Sequence, residues 1–459
     1  KHKHVTFHKE YDIVAQKIKA VKPDENAFYA GARLSNEEIY LIQKLARAGA
    51  GTNNISSFHY MERGGHYLYN SRENVPFGQL SKAGKIYLLG SEINEENGVA
   101  GFYAYNSSYM NNIPLILITD KEKSSLSHKA DELLQVKSYY HFIKAIIYYL
   151  IAEELENSVY LEDHCPDFAD FKIQVLAQDY DELVKNSGCT DEQIKNFAKS
   201  YNTEQHAVII FAEKNLGSNA CAELHNLTHI TGKTGKTASG LIALKEKNNS
   251  QGIFDMGACA ALSVGGVKLQ QNGTLDILKK TWQTKELPDS INSQQLKLIT
   301  EGQLRNMFIF GEDPVGTAEN KDDVSKWIAA CDFVMVQDYF MSETARIADL
   351  VLPASMPFES GGSYTNTQKF IQQFGLNHNG NLEHNSFQQL IELHKTLKLE
   401  AQYENPADVM LEAASILQNI SLENHERKLV FTQTDNKNMM FMSGCDFLQH
   451  NFESINQIE

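Results

Sequence analysis

Asn306-Met307-Phe308-Ile309-Phe310-Gly311-Glu312-Asp313-Pro314 is a short apolar run that breaks abruptly into glycine, two acids and proline. A continuous apolar run of this length reads as a strand buried on both faces. Two other stretches end in a similar way. Lys85 to Leu89 stops at Gly90-Ser91-Glu92, and Phe333 to Val336 stops at Gln337-Asp338. Asn26 to Ala32, Ile113 to Thr119 (ending in Asp120) and His206 to Ala212 complete the clear strand candidates. Helical patterns fall between them: Ser35 through Ala48, Phe142 to Leu155, Thr190 to Tyr201, Ala220 to Ile230 and Asp322 to Ala330. Ser35 with Glu38, and Thr190 with Gln193, have the spacing of a capping box, in which each side chain satisfies a free backbone N–H at a helix start. Apolar strands alternating with amphipathic helices predict an α/β protein whose parallel sheets are covered on both faces.

In such sheets ligands gather at the carboxyl ends of the strands. Glycine there lets a ligand approach the backbone, and an acid accepts hydrogen bonds from a ribose or a guanine amino edge. Glycine and aspartate in the same places also make turns and helix caps. Thr231-Gly232-Lys233-Thr234-Gly235-Lys236-Thr237 lacks the G-x-x-x-x-G-K-[ST] spacing and follows a helical pattern, so it reads as a helix-ending loop and not as an ATP phosphate loop.

The bulk properties narrow the function. A length of 459 residues is too great for one core and fits two or three domains. A net charge of -16 argues against nucleic acid as the partner, because phosphate-backbone binders carry a basic face. The most apolar run, Ala145 to Ala152, is far shorter than the roughly 20 residues a bilayer span needs, so no direct membrane span is expected. Lys1-His2-Lys3-His4 is not followed by the apolar stretch of a signal peptide, and the absence of an initiating Met is what a fragment or a processed product would show. The cysteines Cys165, Cys189, Cys221, Cys259, Cys331 and Cys445 stand singly, with no C-x-x-C pair. Zinc sites and iron–sulfur clusters need grouped thiolates, so no iron–sulfur cluster is expected in this chain, and reduced cysteines fit a cytoplasmic protein.

Four stretches resemble the molybdopterin oxidoreductases, in particular formate dehydrogenase alpha subunits and the large iron–sulfur subunit of NADH-quinone oxidoreductase. They are Ala32-Arg33-Leu34-Ser35-Asn36-Glu37-Glu38 through Gly51-Thr52-Asn53-Asn54; Ile230 to Lys236 with Lys247-Asn248-Asn249-Ser250-Gln251-Gly252 and Asp255-Met256-Gly257-Ala258; Gly311-Glu312-Asp313-Pro314; and Val336-Gln337-Asp338 through Thr344, with Ala348-Asp349-Leu350-Val351-Leu352-Pro353 and Gly362-Ser363-Tyr364-Thr365-Asn366. The resemblance runs to about residue 415. It implies two Rossmann-like parallel-sheet domains, one discontinuous (residues 1–83 with 246–415), the other inserted (84–245), followed by a polar C-terminal tail (416–459). It implies a cradle for a bis-molybdopterin guanine dinucleotide. Asp313 and Asp338 match the acids that hold guanosine, with Gly311, Glu312 and Gln337 beside them. Asn249, Gln251, Asp255 and Gly257 match the pterin-nucleotide loop, while Thr344 and Asp349 fall in the same region.

Departures from the pattern shape the functional expectation. Family enzymes present a Cys or selenocysteine to the metal after the Thr-Asn-Asn loop, followed by a His; here ungapped matching puts Glu62 at the ligand position and Arg63 at the His. A carboxylate can bind a hard metal, but a neighbouring Arg pairs with it as readily. The family's Asp-Pro-Arg is Asp120-Lys121-Glu122, and its Arg-Gly-Gln is Lys245-Glu246-Lys247. The sequence from residue 1 opens without the family's N-terminal cysteine cluster, and the stretch from about Ser421 reads as too short and polar for the family's C-terminal barrel. The expectation is a degenerate member that holds molybdopterin guanine dinucleotide poorly and serves as a scaffold beside iron–sulfur or flavin subunits of a redox complex. An active molybdenum or tungsten formate dehydrogenase, and a plain nucleotide- or partner-binding module, are the alternatives.

Overall fold

A computed structural model describes residues 6–61, 74–90, 93, 97–122, 124–271, 273–292, 294–420 and 429–435. Glu62, Arg63, Ser91 and Glu92, singled out above, lie outside the described residues. Strands are numbered along the chain: β1 Asn26–Ala30, β2 Ile55–Ser56, β3 Lys85–Leu89, β4 Leu115–Thr119, β5 Glu132–Gln135, β6 Ala207–Ala212, β7 Gly240–Leu244, β8 Asn306–Phe310, β9 Phe333–Asp338, β10 Leu350–Pro353, β11 Gly362–Thr365 and β12 Ile371–Phe374. The chain divides into two compact units. The first takes in Lys1–Glu62 and Lys247–Ser421, and the second Arg63–Glu246 and Leu422–Asn438.

The first unit is built on a parallel sheet of order β10-β9-β8-β1-β2. Every residue of β1, β8 and β9 is buried, as a sheet covered on both faces requires. Phe28 stands opposite Phe308, and their rings stack at 4.8 Å. Ala27, Tyr29, Met307, Ile309, Val334 and Val336 share the core on one face. The chain winds from β1 outward to β2 on one side and to β8 on the other, so the strand order reverses between β1 and β8. That reversal opens a crevice at the carboxyl ends of the two strands. The hairpin of β11 and β12 is antiparallel and separate from the sheet.

The second unit carries a parallel sheet of order β5-β4-β3-β6-β7, with its own reversal between β3 and β6. Ile86, Leu88, Leu115, Leu117, Val208, Ile210, Ile242 and Leu244 form its core on one face. Leu429–Asp435, at the C-terminal end, belongs to this unit and runs along its helices. Among the described residues no helix is long and apolar enough to cross a membrane.

The two expected capping boxes are present at Ser35/Glu38 and Thr190/Gln193. At the crevice of the first unit, Gly31 is held by close packing. A Cβ placed there would lie 2.0 Å from the carbonyl oxygen of Gly311 and 2.8 Å from Cγ of Glu312. Gly31→Ala must therefore push the ends of β1 and β8 apart. A loss of roughly 1–3 kcal/mol is expected from this overpacking, read as a lower urea midpoint with an unchanged m-value.

Candidate functional site

The crevice between β1 and β8 is rimmed by carboxylates, and each is engaged by the chain itself. Glu37, Glu38, Glu312, Asp313 and Asp338 are all less than a tenth exposed. Arg33, just past β1, donates from Nε to the Gly311 carbonyl at 2.7 Å and from Nη2 to Asp338 Oδ2 at 2.7 Å. Its guanidinium also lies 5.2 Å from the ring centroid of Tyr339. The Asp338 side chain is wholly buried in this pair. Burial pushes its carboxyl above the usual range, a rise that Arg33 opposes. Gly311 has φ +66°, and a Cβ there would also meet Leu34, so this turn admits only glycine without strain.

Asp313 caps the short helix Pro314–Thr317, accepting from Gly316 N at 3.1 Å. The same oxygen accepts from Thr344 N at 2.9 Å and from Thr344 Oγ1 at 2.6 Å, and Thr344 Oγ1 in turn accepts from Val315 N. Glu312 reaches the loop after β2, where it accepts from Ser57 Oγ at 2.5 Å, Phe58 N at 3.0 Å and His59 N at 3.3 Å. The helix Asn36–Lys44 begins at the same edge. Its start is closed by Ser35 and Glu38, and Glu37 accepts from Ser363 N and Ser363 Oγ, both at 2.8 Å. Burial raises the Glu37 carboxyl and pushes Glu38 up to about 7.

Asn249 fastens this edge to the hairpin. Its backbone N–H donates to Ala32 O at 2.9 Å, its Nδ2 donates to Leu34 O at 2.7 Å, and its Oδ1 accepts from Thr365 N at 2.8 Å. Gln251 is buried and donates to Asp255, which also lies 3.8 Å from Lys369 Nζ. Gly257 (φ +74°) presents its carbonyl to Arg47, a fully buried guanidinium that also holds the carbonyls of Cys259 and Leu262. Gln337 donates to Gln389 at 2.7 Å, and its buried Oε1 has no hydrogen-bond partner among the described residues. Gly311, Glu312, Asp313, Asp338, Thr344 and Asn249 thus gather at one edge of the sheet.

Asp349 does not join them. It precedes β10 and holds Val334 N at 2.8 Å, at the amino end of β9. Four residues of strand, roughly 13 Å, separate Val334 from Asp338, so Asp349 serves the opposite edge, where it ties two strand starts together.

The crevice is narrow and partly open, lined among others by Arg33, His59, Lys247, Gly311, Glu312 and Asp313. Sequence reading singled out the acids and missed their partners. Arg33 lies 305 residues from Asp338, and Ser57 lies 255 from Glu312, distances at which no local pattern signals a contact. No group of three His, Cys, Asp or Glu side chains suited to a metal ion occurs among the described residues. In the second unit Lys245, from the stretch matched to a phosphate-side arginine, is committed to a buried ion pair with Glu213.

A profile of the molybdopterin oxidoreductase family matches residues 1–393, and the chain belongs to that family. It is 28% identical over 383 residues to the F420-dependent formate dehydrogenase subunit alpha of Methanocaldococcus jannaschii, covering 80% of this chain and 56% of that protein. It is 26% identical over 453 residues to a putative formate dehydrogenase of Staphylococcus haemolyticus, covering 92% of this chain and 45% of that one. The chain thus spans about half the length of these relatives. Among solved structures, acetylene hydratase from Pelobacter acetylenicus superposes with a TM-score of 0.68 at 16% identity, over 94% of this chain and 64% of that chain. A chain of the formyltransferase/hydrolase complex from Methylorubrum extorquens does so with a TM-score of 0.55 at 12% identity, over 86% of this chain and 96% of that one. These likenesses establish the fold.

Two expectations follow from the edge. Arg33→Met leaves the Asp338 charge buried without its cation and is expected to cost about 3–5 kcal/mol, whereas adding Asp338→Asn should restore most of it; urea titration of the single and double variants measures the difference. Glu38, with a folded pKa of about 7 against an ordinary 4.5, binds its proton more tightly in the folded chain. Its contribution to stability is fully present below about 4.5 and is lost as pH rises through 7. Glu38→Gln keeps a cap acceptor and removes the titration. It should be more stable than wild type at pH 8 by on the order of 3 kcal/mol, with the gap narrowing to under about 1 kcal/mol by pH 5, as melting temperatures across that range would record.

Proposed function

We propose that this chain is a degenerate molybdopterin-oxidoreductase body, a scaffold in an electron-transfer complex of the formate-dehydrogenase or NADH-dehydrogenase type. The observation that carries this reading is the self-satisfied edge. The backbone N–H groups of Phe58, His59, Gly316, Ser363 and Thr344 point at the chain's own carboxylates. A dinucleotide needs such donors for its phosphates, and buried carboxylates beside them repel phosphate. To bind guanosine through Oδ2, Asp338 would have to release Arg33, and one carboxylate oxygen of Asp313, Oδ1, already accepts three hydrogen bonds. The residues therefore fit a molybdopterin guanine dinucleotide poorly.

On this reading the chain contributes its body to a complex whose iron–sulfur or flavin subunits carry the electrons, and it works in the cytoplasm. The second reading, an enzyme acting on formate through a molybdenum or tungsten bis-pterin cofactor, draws on the printed names of its relatives and on the open crevice with Arg33 and Lys247 at its rim. Metal and released pterin, measured on full-length protein purified without oxygen from its native host, separate the two. Molybdenum and tungsten well below one per chain, with no guanine-bearing pterin, are expected. One metal and two pterins per chain would overturn the scaffold reading and make Glu62 the first ligand to mutate.

A further inference from the structure

Residues 429–435 cross two packed helices of the second unit, Tyr139–Ala152 and Ser218–Ile230. Their carbonyls are held at alternate positions. Val430 O accepts from Asn226 Nδ2 at 2.9 Å, Thr432 O from Tyr140 OH at 3.0 Å and from Lys144 Nζ, and Thr434 O from Asn219 Nδ2 at 2.7 Å. Asn226 Oδ1 also accepts from Val430 N at 3.1 Å, so one side-chain amide meets both backbone groups of Val430 as a neighbouring strand would. A period of two along the main chain is the signature of an extended segment. Side chains add further contacts: Thr432 Oγ1 donates to Glu223, Ser138 Oγ donates to Asp435, and the Phe431 ring meets Phe171 edge to face.

Beneath this segment lies an ion pair between Lys144 and Glu223 at 3.2 Å, with each side chain 1% exposed. The Lys144 ammonium also faces the Phe431 ring at 4.1 Å from its centroid. A buried pair repays its lost hydration only if further hydrogen bonds satisfy both partners, and residues 431 and 432 supply them. Leu429 and Thr432 are buried, but Gln433 and Thr434 are exposed, and Val430, Phe431 and Asp435 are only half-buried. From Val430 onward the segment is thus held mainly by polar contacts, with Leu429 as its buried apolar anchor, and lifting residues 430–435 returns water to both charges. Such a segment opens locally at a free energy far below that of global unfolding.

We propose that Leu429–Asp435 is a releasable strap. The occupant of the helix pair is this chain's own segment: the strap lies across the pair in cis, held through its main chain, and leaves it without unfolding the second unit. The inference is independent of whether the first unit binds a cofactor.

Hydrogen–deuterium exchange on the full chain tests it, with peptides covering 429–435 and both helices. In wild type the strap should exchange at least about tenfold faster than the interior of helix Tyr139–Ala152. Asn226→Ala should speed the strap about tenfold further with the helix rates unchanged, and Thr432→Val, which keeps the volume, should do so more weakly. Strap and helices exchanging together in wild type would sink the proposal. So would strap rates that neither variant changes.

Discussion

A buried carboxylate is tolerated only where N–H or cationic groups replace the water it has lost, and this constraint shapes the carboxyl edge of the first unit. Five acids are folded into that edge, and nearly every loop there is positioned by one of them. Glu312 sets the course of the chain after β2, Asp313 joins the end of β8 to the helix Glu343–Ile347, and Glu37 draws β11 against the start of helix Asn36–Lys44. Arg33 is the cation that makes the arrangement electrostatically sustainable, since it neutralises Asp338 and braces the Gly311 turn with one side chain. Without it, the Asp313 charge, which already pushes the Asp338 carboxyl up, would act on it unopposed by Arg33.

The same principle recurs away from the edge. Lys44, Tyr403 and Tyr40 all converge on Glu412, and Trp282 donates to Tyr40. This network fastens helix Pro406–Asn419 to the helix that starts at the crevice. Arg47 is satisfied mainly by carbonyl oxygens, and burial lowers its pKa to about 10. It pins the loop after Gly257 to the turn that follows helix Asn36–Lys44. The helix behind the crevice is therefore fixed along its length, which leaves its N-terminal end little freedom to adjust to a ligand.

Much of the architecture was legible because it rests on local patterns. Lys85–Leu89 and Asn306–Phe310 are apolar runs bounded by glycine or polar residues, and both are strands with those limits. Glu132–Gln135 left no such trace, since it is an edge strand with three of four residues exposed. Gly240–Leu244 is too short, and too close to a Gly- and Thr-rich loop, to stand out. Leu429–Asp435 read as polar tail because what holds it is main-chain bonding, to which side-chain composition is blind. The family resemblance alone puts Asp349 in the region of Asp338, whereas a strand reaches the far edge of the sheet in a few residues.

The acids at the edge carry two chemical roles that composition alone does not separate. Gly311-Glu312-Asp313-Pro314 has the composition of a nucleotide loop and equally the composition of a self-capping one. What decides between them is the identity of residues far along the chain: Arg33 for Asp338, Ser57 for Glu312, Thr344 for Asp313. Releasing Asp338 alone would leave a buried charge uncompensated, a change worth about 3–5 kcal/mol. That is on the order of 10² to 10³ or more in a binding constant. A ligand able to offset it would have to bring a cationic or multiply donating group to the position Arg33 holds, and the guanine amino edge offers only neutral donors. On the proposed scaffold reading, the chain keeps the family's fold while the polar groups of its crevice satisfy one another.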